Sequence, residues 1–459
     1  MMSFPKDFVW GVASAAYQIE GGVREGGRSP SIWDTFSHTP GRTFNGHTGD
    51  VACDHYHRYA EDIALIAAAG IRNYRFSVSW PRILPEGRGP GSGGAVNPEG
   101  LGFYDRIVDL CLEKGITPYL TLYHWDLPQV LEDDGGWLNR KTAFAFAELA
   151  KVVAEHFKGR IGVYFTLNEP QCSAGLGYAS GIHAPGKTLP PEQQFTVMHT
   201  LLLAHGLAAK EIRRADNSAK VGLASTGRLC YPEPDTPANR AAAAEAAFPT
   251  GALIEAGEWF LHHWVLDAVV FGRYPDTEGS WLDPLVKAVP PEDWAVINEK
   301  PDIIGLNIYN GGAVYRGSDG APQFVPKYEG YPRTALKWPV TPEVMRFGVN
   351  SIWERYGLPI YITENGQSCN DRIFLDGKIH DPDRIDFLHR YLSELKKAVA
   401  DGSDVRGYFH WCFTDNYEWH SGYDDRFGLV YIDYPTLRRI PKDSYYWYSG
   451  VAAENGGGI

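Results

Sequence analysis

Eight short apolar runs, rich in β-branched and aromatic residues, recur along this 459-residue chain at 8–14, 73–78, 117–123, 162–167, 220–225, 302–309, 358–363 and 405–412. Runs of that length and composition read as buried strands. Stretches with helical periodicity separate them, for example at 56–69, 101–114, 140–157, 194–215, 342–356 and 382–399. Strand and helix alternating eight times confine the chain to few architectures, and they predict an α/β fold, a single (β/α)8 TIM barrel. The longest irregular stretches, 81–97, 171–191, 310–341 and 414–439, all follow strand ends, the face where such barrels carry their sites. The length would allow about three domains, yet no linker interrupts the pattern. One domain is therefore expected over 4–451, with 452–459 as a frayed tail and an excursion at the alanine-rich 238–249.

Composition narrows the partners. A net charge of -13 and a pI near 5.6 argue against nucleic acid, whose binding needs clustered Lys and Arg. Fourteen Trp supply flat rings of the kind that stack on sugar faces. The six cysteines, Cys53, Cys111, Cys172, Cys230, Cys369 and Cys412, are scattered without a CxxC pair, so neither a zinc site nor a disulfide framework is indicated. The start, Met1-Met2-Ser3-Phe4-Pro5, leaves no room for a signal peptide, and no apolar stretch approaches the length of a membrane span. A cytoplasmic protein with no membrane partner, metal or cofactor is the resulting expectation.

Two acidic motifs then stand out. Thr166-Leu167-Asn168-Glu169-Pro170 and Thr363-Glu364-Asn365-Gly366 each put a glutamate just after a strand-like run. A single such glutamate is usually a solvated or ion-paired carboxylate. Two at strand ends on one barrel face are what glycosidic bond cleavage uses, one to protonate the leaving oxygen and one to attack. Glu169 follows the fourth run and Glu364 the seventh, so strands about 4.8 Å apart and tilted about 36° place their backbones roughly 13 Å apart. Side chains reaching inward by about 4 Å each leave the carboxyl groups about 5 Å apart, the spacing of a retaining rather than an inverting mechanism.

Further blocks carry a resemblance from about residue 4 to 451. They are Phe8-Val9-Trp10-Gly11 with Ala16-Tyr17-Gln18-Ile19-Glu20-Gly21, Arg75-Phe76-Ser77-Val78-Ser79-Trp80-Pro81-Arg82, Tyr123-His124-Trp125-Asp126-Leu127-Pro128, Asn307-Ile308-Tyr309, Asp415-Asn416-Tyr417-Glu418-Trp419 and Arg426-Phe427-Gly428-Leu429-Val430. With the two glutamate motifs, the chain resembles a family 1 glycoside hydrolase. That resemblance implies Glu169 as general acid/base and Glu364 as nucleophile, supported by Arg75 and Tyr309. It also implies a substrate pocket formed by Gln18, His124, Trp125, Asn168, Asn307, Trp411, Glu418 and Trp419, with Trp338 toward the leaving group and Phe427 as a pocket wall or core aromatic. The roles suit the chemistry: amides and an ionised Glu418 can pair with sugar hydroxyls, and Trp411 can stack under the ring. The implied activity is that of a retaining exo-β-glucosidase acting on β-glucosides or short β-linked oligosaccharides. β-Galactosidase, β-fucosidase or transglycosidase preference remains open on the same residues, and a noncatalytic sugar-binding barrel is disfavoured because both glutamates are present.

Two features depart from the family pattern, Gln171 in place of an aromatic and the segment His410-Trp411-Cys412-Phe413-Thr414, and both are expected to affect leaving-group preference. Gly181 to Thr188 spells a P-loop expression, but Pro190-Pro191 follow where the phosphate-binding helix would begin, so no nucleotide is expected. The histidine pairs His55/His57 and His262/His263 lack zinc-site spacing.

Overall fold

A computed structural model describes residues 3–459; Met1 and Met2, from which the reading of the chain start was taken, lie outside the described residues. The eight strands form at Val9–Ala13, Asn73–Ser77, Thr117–Tyr123, Val163–Asn168, Lys220–Ser225, Ile303–Asn307, Ile360–Asn365 and Val405–Trp411. Each pairs in parallel with its neighbours in sequence, and the first pairs with the eighth, Val9 opposite Gly407 and Ala13 opposite Trp411, which closes the barrel. Parallel strands need long crossovers, and helices supply them: His55–Ala68, Pro98–Glu113, Lys141–His156, Pro191–Ala215, His262–Phe271, Val344–Tyr356 and Pro382–Asp401. Their ends follow from sequence. Pro382 opens its helix, and Gly402 at φ 108° closes it where an L-residue would be strained.

The barrel interior is a plug of rings. Tyr119 meets Phe409 at 4.9 Å and Tyr361 at 6.1 Å, and Phe165 joins the same cluster. Residues on the alternate face, such as Leu120, Leu122, Tyr164 and Ile362, belong to the large cluster under the helices. The Arg75 guanidinium lies 5.5 Å over the Phe165 ring, so the first polar group rests directly on the plug. Chemistry is thereby confined to the C-terminal mouth.

Three stretches depart from the expected pattern. The alanine-rich segment is a helix, Pro237–Ala247, capped by Thr236. Alanine is the best helix former, and Ala242, Ala243, Ala246 and Ala247 pack on Cys230 and Val314. The loop expected at 310–341 contains the strands Gly312–Arg316 and Pro322–Phe324, which join Cys230–Pro232 in a small sheet. The tail expected to fray is instead docked. Trp10 Nε1 donates to Asn455 Oδ1 at 2.9 Å, Asn455 Nδ2 to Pro5 O at 3.0 Å and Lys396 Nζ to Ile459 O at 2.9 Å. Composition alone suggested disorder, because nothing local reveals that distant donors and acceptors will satisfy a glycine-rich end.

Candidate active site

Both acidic motifs sit at register slips. The fourth strand slips against the fifth between Phe165 and Asn168, and the seventh against the sixth between Ile362 and Glu364. A bulge of this kind re-aims a side chain, and here it sets Glu364 across from Asn307. The seventh strand runs on to Asn365, so Glu364 lies within it rather than after it. Glu169 does follow its strand and takes a φ of 45°, a left-handed conformation costly for a glutamate. Its N–H donates to Ala224 O at 2.8 Å, and Cys172 N donates back to Glu169 O at 2.9 Å, which holds that turn. Both carboxyls line one cavity of about 740 Å³.

A single guanidinium fixes the polarity of everything between them. Arg75 Nη1 donates to Glu364 Oε1 at 2.7 Å and Nη2 to Asn168 Oδ1 at 2.6 Å. Arginine can only donate, so the Asn168 atom facing it is the oxygen and its amide nitrogen points to His124 Nε2, 3.1 Å away. The same Asn168 oxygen takes a bond from Asn307 Nδ2 at 3.1 Å, which assigns the Asn307 amide in turn. Asn307 Nδ2 also donates to Glu169 Oε1 at 2.8 Å, while its oxygen accepts from Thr363 Oγ1 at 2.6 Å. His124 accepts at Nε2 and so carries its hydrogen on Nδ1. Burial and the Arg75 charge hold that ring neutral.

The two carboxyls therefore differ in their partners. Glu364 has Arg75 on one oxygen and Tyr309 OH on the other at 2.8 Å. Glu169 has only the Asn307 amide and the Cys172 thiol, with Sγ 3.0 Å from Oε2. Burial, and next the charge of Glu364, raises Glu169 to about 7. Burial raises Glu364 as well, but Arg75 foremost and Tyr309 oppose it. One acid near neutrality beside a carboxylate held by a cation is the arrangement that an acid and nucleophile pair would require.

Around the pair, Trp411 lies nearly parallel to the His124 ring, 5.7 Å away at 16°, and both face the cavity. Trp125, at φ 77°, anchors its indole N–H on Asn168 O at 2.8 Å, and Trp419, at φ 50°, packs 4.5 Å from it. Gln18 is buried behind them, with Nε2 on Tyr417 O at 3.0 Å and Glu418 Oε2 at 3.3 Å. Gln18 Oε1 and His124 Nδ1 have no protein partner although both are buried. Trp338 packs 5.1 Å from Tyr309, and Phe427 stands 6.2 Å from each of them. Glu418 differs from expectation: burial, followed by the Asp425 and Glu364 charges, pushes its carboxyl well above the usual range, where it was read as ionised.

Comparison with known proteins identifies the family. The profile described as Glycosyl hydrolase family 1 matches residues 1–457. The chain belongs to glycosyl hydrolase family 1. Beta-glucosidase A of Thermotoga maritima is 43% identical over 99% of this chain and 98% of its own length. The bifunctional beta-D-glucosidase/beta-D-fucosidase of Bifidobacterium breve is 41% identical over 99% of both. Among solved structures, beta-glucosidase from Thermotoga maritima in complex with deoxynojirimycin superposes with a TM-score of 0.87 at 42% identity, covering 100% of both chains.

Of the two departures in sequence, Gln171 and His410 do not line the pocket, whereas Trp411, within the second, does. Gln171 is buried and donates to Ser225 Oγ at 2.8 Å, away from the cavity. His410 is buried too, with Nε2 3.3 Å from Phe427 O and burial lowering it to about 3. The cavity is also lined by residues the sequence reading missed: Phe260, Phe324, and Arg228 paired with Glu258. Cys172 was missed as well, although its position three residues after Glu169 is a signal that a one-turn helix would bring it back to the carboxyl. The P-loop-like segment has another use. Its Lys187 is bound to the Glu132 carboxylate, and a helix does begin at Pro191, since proline is tolerated in a first helical turn. His55 pairs with Asp62 at 2.7 Å and His262 with Ser225 at 2.9 Å; among the described residues there is no group of three or more potential metal ligands.

Proposed function

We propose that the protein is a retaining exo-β-glucosidase that releases terminal β-D-glucosyl residues from β-glucosides and short β-linked oligosaccharides. The observation that carries this reading is the asymmetry of the two carboxyls, Glu364 gripped by Arg75 and Tyr309 and Glu169 left free to hold a proton. In the first step Glu364 attacks the anomeric carbon while Glu169 gives its proton to the departing oxygen. In the second, Glu169 as carboxylate takes a proton from water, whose oxygen displaces Glu364. Both halves need one carboxyl that titrates near neutrality and one that does not. Double displacement returns the sugar with its original anomeric configuration.

The sugar is received by groups that have bonding capacity left. Gln18 Oε1 accepts, His124 Nδ1 donates, Asn168 has a second amide hydrogen for the 2-hydroxyl, and Glu418 serves the far side of the ring. Trp411 offers its face and the Trp419 indole a donor. Relatives named as β-glucosidases across nearly the whole chain support glucose as the sugar. The unpaired cysteines support a cytoplasmic setting. The reading is tested with a panel of nitrophenyl β-glycosides, with product anomers followed by NMR. β-Glucose as first product from the glucoside is expected. An α-anomer as first product would refute the retaining mechanism, and a higher kcat/KM on the galactoside or fucoside would refute the sugar.

A further inference from the structure

Glu169 must carry a proton in one half of the cycle and shed it in the other. What faces its two oxygens decides which of them holds that proton. Oε1 faces Asn307 Nδ2 at 2.8 Å, and the polarity of that amide is set by Arg75 through Asn168. An amide N–H can only donate, so a proton on Oε1 would exchange the strong carbonyl-type acceptor facing that amide for a hydroxyl oxygen, a poorer one. Oε2 faces Cys172 Sγ at 3.0 Å. A thiol donates weakly, accepts weakly and can turn its hydrogen aside. Cys172 cannot drift from this position, because its backbone N–H is bonded to Glu169 O at 2.9 Å within the same turn. Burial, then the neighbouring Glu169 charge, raises the thiol, so it contributes a hydrogen bond and no charge.

We propose that Cys172 is a positioning residue for the catalytic proton: with Asn307 it confines the acid hydrogen of Glu169 to Oε2, and it accommodates both protonation states of that oxygen. This rests on Glu169 being the acid/base. In the first step the Oε2 hydrogen passes to the glycosidic oxygen as the C–O bond breaks and its electron pair stays with the alcohol. The thiol hydrogen then turns to Oε2. In the second, a water oxygen bonds to the anomeric carbon, the bond to Glu364 breaks, and the water proton returns to Oε2 as the thiol hydrogen turns away. A serine hydroxyl, a stronger donor, would hold the ionised form more firmly and weaken the acid step. An apolar side chain would favour the protonated form and weaken the base step.

The other charged or titratable groups facing Glu169 are Glu364 from the seventh strand, Arg75 from the second, Tyr309 just after the sixth and Glu418 in the loop after the eighth, and none of them is altered by a change at Cys172. The test is the alkaline limb of kcat/KM for an alkyl β-glucoside, whose departure needs the acid. Cys172→Ser is expected to move it down, and Cys172→Ala and Cys172→Val up, each by roughly 0.3–1 pH unit. Shifts of one sign in all variants, or a limb left where it stands in the wild type, overturn the assignment, since a merely structural role alters rate without opposing shifts. Infrared titration of the Glu169 carboxyl, identified by its loss in Glu169→Gln, reads the same shifts without substrate. Opposed infrared shifts in a protein that fails to hydrolyse glucosides would count against the hydrolytic reading and not against the thiol.

Discussion

Removing the Tyr309 hydroxyl isolates one of the two groups that favour the ionised form of Glu364 against its burial. In Tyr309→Phe the ring should stay in place, because it packs 5.1 Å from Trp338 and 6.2 Å from Phe427, and its backbone oxygen accepts from Tyr391 OH at 2.9 Å. What is lost is one bond to Glu364 Oε2, leaving Arg75 on Oε1. Tyr309 is itself raised by burial, so in the native protein it is a donor and not a competing anion. A hydrogen bond to a charged group contributes about 1.5–3 kcal/mol, equivalent to roughly one to two pKa units on Glu364. The sign is upward, since the bond lost had favoured the carboxylate. The acid limb of kcat/KM should therefore move up toward that of Glu169, and the rate near neutrality should fall roughly 10- to 100-fold. The assay is kcat/KM for dinitrophenyl β-glucoside between about pH 4.5 and 9, because this leaving group needs no proton and reports Glu364 alone. An unmoved acid limb with activity near that of the wild type would show that Tyr309 does not support the nucleophile.

Glu364→Ala should abolish hydrolysis with the fold intact, and azide should restore turnover with an inverted product, attacking from the vacated side; unrescued but active protein would remove Glu364 from the mechanism. Glu169→Ala should slow cellobiose roughly 10²- to 10⁴-fold more than dinitrophenyl glucoside. In the wild type, Glu169 is a competent acid below its pKa of about 7, so kcat/KM for cellobiose should be lost as pH rises through that value; a flat profile to about pH 9 would contradict the assignment. Lys442, fully buried, bridges Asp371 and Asp415 at 2.6 Å each, so Lys442→Met should destabilise the protein by about 3–5 kcal/mol in a denaturant titration, because both acids keep only Arg384 or Arg426.

The barrel was legible because strand and helix alternate with distinct periods, and every strand falls within two residues of the run that announces it. That the two glutamates would meet was legible in their strand-end positions, and the structure brings both to one cavity, lined too by His124, Asn307, Trp411 and Trp419 from the other motifs. Other features depend on distant partners. Register slips at Asn168 and Glu364 arise where a strand meets its neighbour, and one strand alone does not encode them. Gln171 follows the acid motif directly yet turns inward, because Ser225 on the next strand offers an acceptor. Glu418 was read from its charge, but burial among Asp425, Glu364 and Glu169 overrides what an isolated carboxyl would do. Asn455 and its glycine-rich surroundings look idle in sequence and are bound to the first residues of the barrel.

Arg75 is a charged member of the site whose protonation does not change in water. The amides of Asn168 and Asn307 take their direction from it, and through them so does the His124 tautomer. Acid or alkali can therefore empty or fill Glu169 and Glu364 without flipping an amide between them. The machinery has movable protons on a frame of unmovable ones. Inactivation at mild pH extremes should consequently reverse as fast as protons exchange, with no slow recovery phase from side chains finding their orientation again. Lysine at position 75 would keep the charge and lose this property, since a single rotating ammonium cannot hold Glu364 and Asn168 in one plane.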